Sequence, residues 1–339
     1  MINLNSFIQK HGLNAFKKLA YHHASKYDYS CILDSCELDT GVHQGRYEFL
    51  VAYGAERVFY NLEELEKTER DSDWVFGIIG YDLKNKFEKL SSQNPSIVKT
   101  PEITFFVPKI LLSIDKNQKA TLLKGKLTQT FWNYKEEPSA FKINPEKNPI
   151  TKNTYIKKIT QIQDLIKQGE VYELNYCIPH SSDYLEFSPI DFQLSLINKS
   201  PVPMAAYFSA NSLHLCGASM ERYIAKNKNV LLSQPIKGTI KKGETLEEDQ
   251  ELISELVNSE KDRAENVMIV DLVRNDLNKI CQTATVKVNE LFGIYSYLQV
   301  HQMISTVEGK LNPNTKFTDI LKATFPMGSM TGAPKISAM

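Results

Sequence analysis

Three runs of strand character follow one another between Leu213 and Ser233, at Leu213 to Ser219, Arg222 to Ala225 and Val230 to Ser233, with only a few residues between them. Parallel neighbours need a crossover of a dozen or more residues, so intervals this short restrict the strands to antiparallel pairing. The tetrapeptide Lys226-Asn227-Lys228-Asn229 has the chemistry of the turn between the last two runs. The expectation is an α+β fold of antiparallel sheets packed together with helices on the outside, and not a doubly wound parallel sheet.

The rest of the chain fits that frame. Ile159, Ile162 and Ile166 follow helical spacing between Tyr155 and Gln168, and Gly169 supplies a C-cap. From Val171 to Ile178 the chain alternates, so that Glu173, Asn175 and Cys177 share a face able to line a polar site. One long helix is expected over 246–272, strands near 285–288 and 303–311, and a helix over 317–324. Earlier, Asp115-Lys116-Asn117 reads as a hairpin turn between 110–114 and 120–123, and residues 61–69 have helical composition. The polar stretch from Asn133 to Asn153, with Pro138, Pro145 and Pro149, has no periodicity and reads as a connection. Two regions follow from it, 1–140 and 150–339.

Forty basic residues balance forty acidic ones, so no chain-level charge attracts nucleic acid or an anionic membrane surface. Small-molecule chemistry is the better expectation. Met1 to Phe16 lacks the apolar run of a signal peptide, and no stretch has the length of a membrane span, which points to the cytoplasm. The five cysteines form no CxxC pair, which argues against a disulfide framework or a structural zinc site.

Three places could carry chemistry. If the hairpin around Lys228 is symmetric, Lys237 falls opposite Ser219 and Glu221 becomes its diagonal neighbour, roughly 7–8 Å away. An acid and an amine would then face one pocket, although a cross-strand ion pair on a solvated face has the same spacing. Glu265, beside the apolar turn Val267 to Val270, could be a hard oxygen ligand for Mg²⁺, or a member of ordinary helical charge pairs. The segment from Gly328 to Lys335 is a glycine-rich turn ahead of Pro334, able to offer N–H groups to an anion or simply to turn the chain.

In order along the chain, these segments resemble the motifs of the chorismate-utilising enzymes, which include aminodeoxychorismate, anthranilate, isochorismate and salicylate synthases. Gly169 to Asn175 is similar to GDxYQxN, Ser219 to Tyr223 to SPERF, and Pro235 to Thr239 to PIKGT. Asp262 to Asp276 resembles DRAENLMIVDLxRND, Val300 to Thr306 VHHLVST, and Phe325 to Met339 FPGGSITGAPKxRAM. The first half resembles the family's variable N-terminal region, chiefly through Leu33-Asp34-Ser35 and Phe76 to Lys84.

The resemblance implies chorismate as substrate, Mg²⁺ as cofactor and a glutamine amidotransferase subunit as ammonia donor. Members with lysine in the PIKGT motif are the aminodeoxychorismate synthases, whereas the other branches carry alanine there. Lys237 therefore implies attack on C2 of chorismate, departure of the C4 hydroxyl with Glu221 as general acid, and entry of ammonia at C4. Glu265 is implied as the metal ligand. Asn175, Arg274, Thr285, Gln302, Gly328, Ser329, Thr331 and Gly332 are implied in the substrate pocket, and Ser35 in a regulatory tryptophan pocket. The nearest rival is anthranilate synthase component I; a rival of another class is a non-catalytic chorismate-binding or amidotransferase-docking protein.

The sequence departs from the motifs at Glu173 for glutamine, Met220 for proline, Met327 for glycine, Gln302 for histidine and Lys279 for arginine. Family members also run on with a second metal-ligating glutamate, so the chain is expected to lack the C-terminal part of the core.

Overall fold

The computed structural model describes residues 3–38, 45, 47–68, 73–92, 94, 96–132, 142–144, 150–186 and 188–339. Its contacts divide the chain into two compact units, each assembled from separated segments. Met1–Gly80, Ser96–Asn144 and Asp183–Met220 form the first, and Tyr81–Pro95, Pro145–Ser182 and Glu221–Met339 the second.

The first unit is built on a seven-stranded antiparallel sheet in the order Leu213–Ser219, Met204–Ala210, Tyr29–Asp34, Tyr47–Phe59, Ile103–Asp115, Phe76–Ile79, with Ala120–Lys124 also paired to Ile103–Asp115. Successive side chains on a strand point to opposite faces, and the core divides accordingly. Ile32, Val51, Leu112 and Tyr207 pack with Phe16, Leu19 and Tyr21 of helix Leu13–Ala24. Their immediate neighbours Cys31, Ala52, Leu111 and Phe208 pack on the other face with Phe76 and Phe106. Because both faces are covered, Ile103–Asp115 is buried along nearly its whole length instead of at alternate positions.

The expected hairpin at Asp115 is present. The Asp115 carboxylate accepts from the N–H groups of Asn117 at 2.9 Å and Lys119 at 3.0 Å, which fixes the turn locally. The expected connection from Asn133 to Asn153 lies largely outside the described residues. Residues 183–220, expected with the second region, join the first unit, because Met204–Ala210 pairs with Tyr29–Asp34 from Tyr29↔Ala210 to Asp34↔Ala205. Alternation identifies a strand but does not name its partner.

The second unit carries a five-stranded sheet in the order Arg222–Asn227, Val230–Gln234, Val300–Lys310, Ile236–Lys241, with Lys287–Ser296 also paired to Val300–Lys310. Helix Glu260–Asn278 lays Ile269, Val270, Val273 and Leu277 against Leu231 and Val307 of the sheet and Ile320 of helix Phe317–Thr324. Each fully buried aliphatic side chain there contributes roughly 1.5–3 kcal/mol.

Two expectations are corrected in this unit. The single helix over 246–272 is two, Leu246–Asn258 and Glu260–Asn278, broken at Ser259. The Ser259 hydroxyl accepts from Asp262 N at 3.2 Å, so Ser259-Glu260-Lys261-Asp262 is an N-cap signature inside an apparently continuous helical pattern. The strand over 171–178 shrinks to Glu173–Leu174, paired with Gly332–Ala333.

Helix Lys152–Lys167 starts at Thr151, whose side chain accepts from Thr154 N, and buries no residue; Tyr155, Ile156, Leu165 and Ile166 are exposed. Among the described residues, no helix is long and apolar enough to cross a membrane.

Candidate active site

Lys237 lies on strand Ile236–Lys241, but its partner is not the strand expected from the hairpin. Arg222–Asn227 pairs with Val230–Gln234 around Lys228, which has φ 53°. The chain then leaves that hairpin at Pro235, and Ile236–Lys241 pairs with Val300–Lys310, through Ile236↔Ile304 and Thr239↔Gln302. The register shift between these pairs falls at Lys237 and Gly238. Gly238 has φ +96°, a backbone conformation that favours glycine at the bulge, and a Cβ there would stand a tight 3.1 Å from the Asp262 Cβ of the adjoining helix.

The symmetric register placing Ser219 opposite Lys237 is therefore absent, yet Glu221 still meets the lysine's strand at Ile236. Glu221 accepts from Ile236 N at 3.3 Å, and the Ser329 hydroxyl donates to the same carboxylate oxygen. Burial pushes the Glu221 carboxyl above its ordinary value, outweighing the hydrogen bonds from Ser329 and Ile236 and the Lys237 charge, which act the other way. A carboxyl whose pKa is raised is shifted in the direction that general-acid work requires.

The Lys237 amine is 2.7 Å from the Glu173 carboxylate and 3.4 Å from the Asn175 amide oxygen. Glu173 and Asn175 are two residues apart and so share the polar face expected from alternation. Asn175 Nδ2 donates to Ser329 O at 2.6 Å and Asn175 N to Thr331 O at 2.9 Å, which turns its Oδ1 towards the lysine. Gly332 pairs with Leu174, and a Cβ on it would meet Glu173 O at 2.3 Å, so only glycine lets the turn lie against this strand. Of the rest of that turn, Thr331 Oγ1 donates to Gly328 O at 3.1 Å and ties its two ends together.

Beneath Lys237 lies a buried polar tether that motif reading did not single out. Asn266 Nδ2 donates to Lys237 O at 3.2 Å and to Met303 O at 3.4 Å, while the Ser305 hydroxyl donates to Asn266 Oδ1 at 2.5 Å. Phe292 N in turn donates to Ser305 Oγ at 3.1 Å. The signal available was an amide at a buried position of an otherwise apolar helical face. Gln302, buried, accepts from Thr239 Oγ1 at 2.6 Å and belongs to the same pair of strands.

The arrangement is an amine, a buried acid and an oriented amide brought together within the second unit. The model of the chorismate binding enzyme family matches residues 32–339. The chain belongs to that family.

Among its relatives, a probable aminodeoxychorismate synthase, chloroplastic, from Oryza sativa subsp. japonica is 43% identical over 196 residues, 56% of this chain and 22% of the relative. Anthranilate synthase component 1 from Saccharolobus solfataricus is 33% identical over 269 residues, 78% of this chain and 62% of the relative. The chain thus spans less than two thirds of the length of either. Anthranilate synthase component I from Streptococcus pneumoniae TIGR4 shares the fold, with a TM-score of 0.71 and 23% identity over 89% of this chain and 77% of that one.

Not every residue implied by the family's motifs reaches this place. Arg274 pairs with Asp271 at 2.7 Å and is 46% exposed. It is nine residues from Glu265, about two and a half helical turns, and so on the opposite side of helix Glu260–Asn278. Thr285 bonds to Gln282 O at 2.7 Å and receives Lys310 N at 3.1 Å. It therefore anchors the end of strand Val300–Lys310 that lies eight residues, about 26 Å, from Gln302. Ser35 lies in the first unit, where its hydroxyl donates to Glu48 and its N–H to Glu48 O.

Glu265 is one third exposed and 3.7 Å from Lys261. Among the described residues, no group of three or more His, Cys, Asp or Glu side chains is placed to share a metal ion. A single carboxylate nevertheless fits Mg²⁺ of the kind that completes its shell with water and substrate oxygens.

Proposed function

We propose that this chain forms the chorismate-aminating site of an aminodeoxychorismate synthase, making 4-amino-4-deoxychorismate from chorismate and ammonia. The observation that carries the proposal is the buried Glu221 carboxyl beside the Lys237 segment, where it accepts from Ile236 N and lies within the influence of the Lys237 charge, in a family of chorismate binding enzymes.

Lys237, as the amine, forms a bond to C2 of the ring while the C4–O bond breaks, and Glu221 gives its proton to the departing hydroxide so that water leaves. Ammonia then bonds at C4 as the C2–N bond breaks and its electron pair returns to Lys237. Asn175 and Ser329 position the two reacting side chains, and Asn266 holds the Lys237 backbone. Glu265 would hold Mg²⁺, which when bound supplies positive charge for the substrate's carboxylate. A glutamine amidotransferase partner would supply ammonia, and the reaction would take place in the cytoplasm.

Incubation with chorismate, Mg²⁺ and ammonium tests this reading. The expected product is non-fluorescent and needs a separate lyase to become p-aminobenzoate; direct formation of anthranilate would contradict it. Glu221→Gln should lower turnover by about 10²–10⁴-fold, the range for loss of a general acid.

A further inference from the structure

Both carboxylate oxygens of Glu173 are buried, and among the described residues neither accepts an aligned hydrogen bond. The Lys237 amine, 2.7 Å away, supplies charge without that alignment. Beside it stands a second acceptor, the Asn175 amide oxygen, whose Nδ2 is committed to Ser329 O. One anionic and one neutral oxygen thus enclose a single lysine ammonium head.

In the reaction proposed above, the Lys237 ammonium must release a proton to water and its nitrogen must leave these oxygens to reach the ring. Its departure uncovers a buried carboxylate, and an unpaired buried charge is strongly unfavourable. A small cation with N–H donors is the chemical match for the vacated place, because ammonium has the same tetrahedral donor head as lysine. Resting on that reading, we infer that Glu173 and Asn175 form the binding place of the ammonium from which the reaction draws its ammonia, the released proton passing to the Glu173 carboxylate, and that the Lys237 head occupies this place between turnovers. The glutamine of the family's usual motif would leave this place neutral, so the anionic subsite is a property of this chain's own residue 173.

The test is a titration of the Lys237→Ala chain with ammonium chloride, followed by thermal unfolding, with sodium chloride at equal ionic strength as control. A ligand that binds only the folded chain raises the midpoint with concentration. The expected result is a saturating rise with ammonium, none with sodium, and none for either salt in the Lys237→Ala, Glu173→Gln double variant. If Lys237→Ala is unfolded in sodium chloride, ammonium should restore the folded signal. An equal response to both salts, no response to ammonium, or a response that survives in the double variant would overturn the inference.

A second measurement uses Glu173→Gln alone, which keeps the size of the side chain. The ammonium concentration for half-maximal turnover should rise about tenfold or more, as expected for loss of a charge-assisted contact, while that for chorismate should change far less. An unchanged ammonium dependence would contradict the subsite. Absence of turnover in the unsubstituted chain would count against the proposed function, and the salt titration would still decide the subsite by itself.

Discussion

Glu221 is where burial and chemistry meet most directly. Its folded-state pKa lies above the ordinary 4.5, chiefly through desolvation. The folded chain therefore binds this proton more tightly than the unfolded chain, and ionising the group opposes folding. The sign follows: below the unfolded value Glu221 imposes no penalty, and above the raised folded value it imposes the full one. Glu221→Gln is expected to stabilise the chain at neutral pH, with the gain vanishing as pH falls below about 4.5. Thermal unfolding of both forms across that range checks it, and a gain independent of pH would show that the carboxylate's charge is not the cause.

At this scale the sequence was informative about faces and less so about registers. Alternation placed Glu173 and Asn175 on one side of a strand, and both reach Lys237. The meeting of Glu221 with the lysine segment was expected from a symmetric hairpin, but it arises from a different pairing, because Pro235 ends one ladder and Gly238 allows the next to bulge. Arg274 fits a motif by order, but helical phase turns it away from Glu265.

At the scale of elements, the site depends on helix Glu260–Asn278 being held against strands Ile236–Lys241 and Val300–Lys310 through Asn266. Replacing Asn266 by alanine removes donors from two backbone carbonyls and leaves the Ser305 hydroxyl without its acceptor. A loss of about 1–3 kcal/mol of stability is expected, with turnover falling because Lys237 is no longer held; denaturant unfolding with steady-state kinetics checks both. The Ser259 break was present in the sequence as a capping signature, but the apolar spacing on either side of it masked the stop. Short pairings such as Glu173–Leu174 with Gly332–Ala333 join segments far apart in sequence, and local pattern carries no record of such partners.

For the whole molecule, stability is unevenly distributed. The paired strands Tyr47–Phe59 and Ile103–Asp115 are buried between two apolar clusters, whereas helix Lys152–Lys167 buries nothing. Backbone amides of that helix are expected to exchange with solvent well before those of the two strands, since local opening follows the packing that must be broken. Hydrogen exchange read by mass spectrometry checks this, and equal protection would mean that the helix is covered in solution. The α+β class was legible from short intervals between strands, but the interleaving of segments 183–220 and 81–95 between the units was not, because it depends on long-range pairing. The proposed amination requires Lys237 to become covalently attached to chorismate. Incubating the chain with chorismate and Mg²⁺ in the absence of ammonium, followed by peptide mass analysis, should show the peptide containing Lys237 heavier by chorismate less one water; chorismate consumed with Lys237 never modified would contradict it.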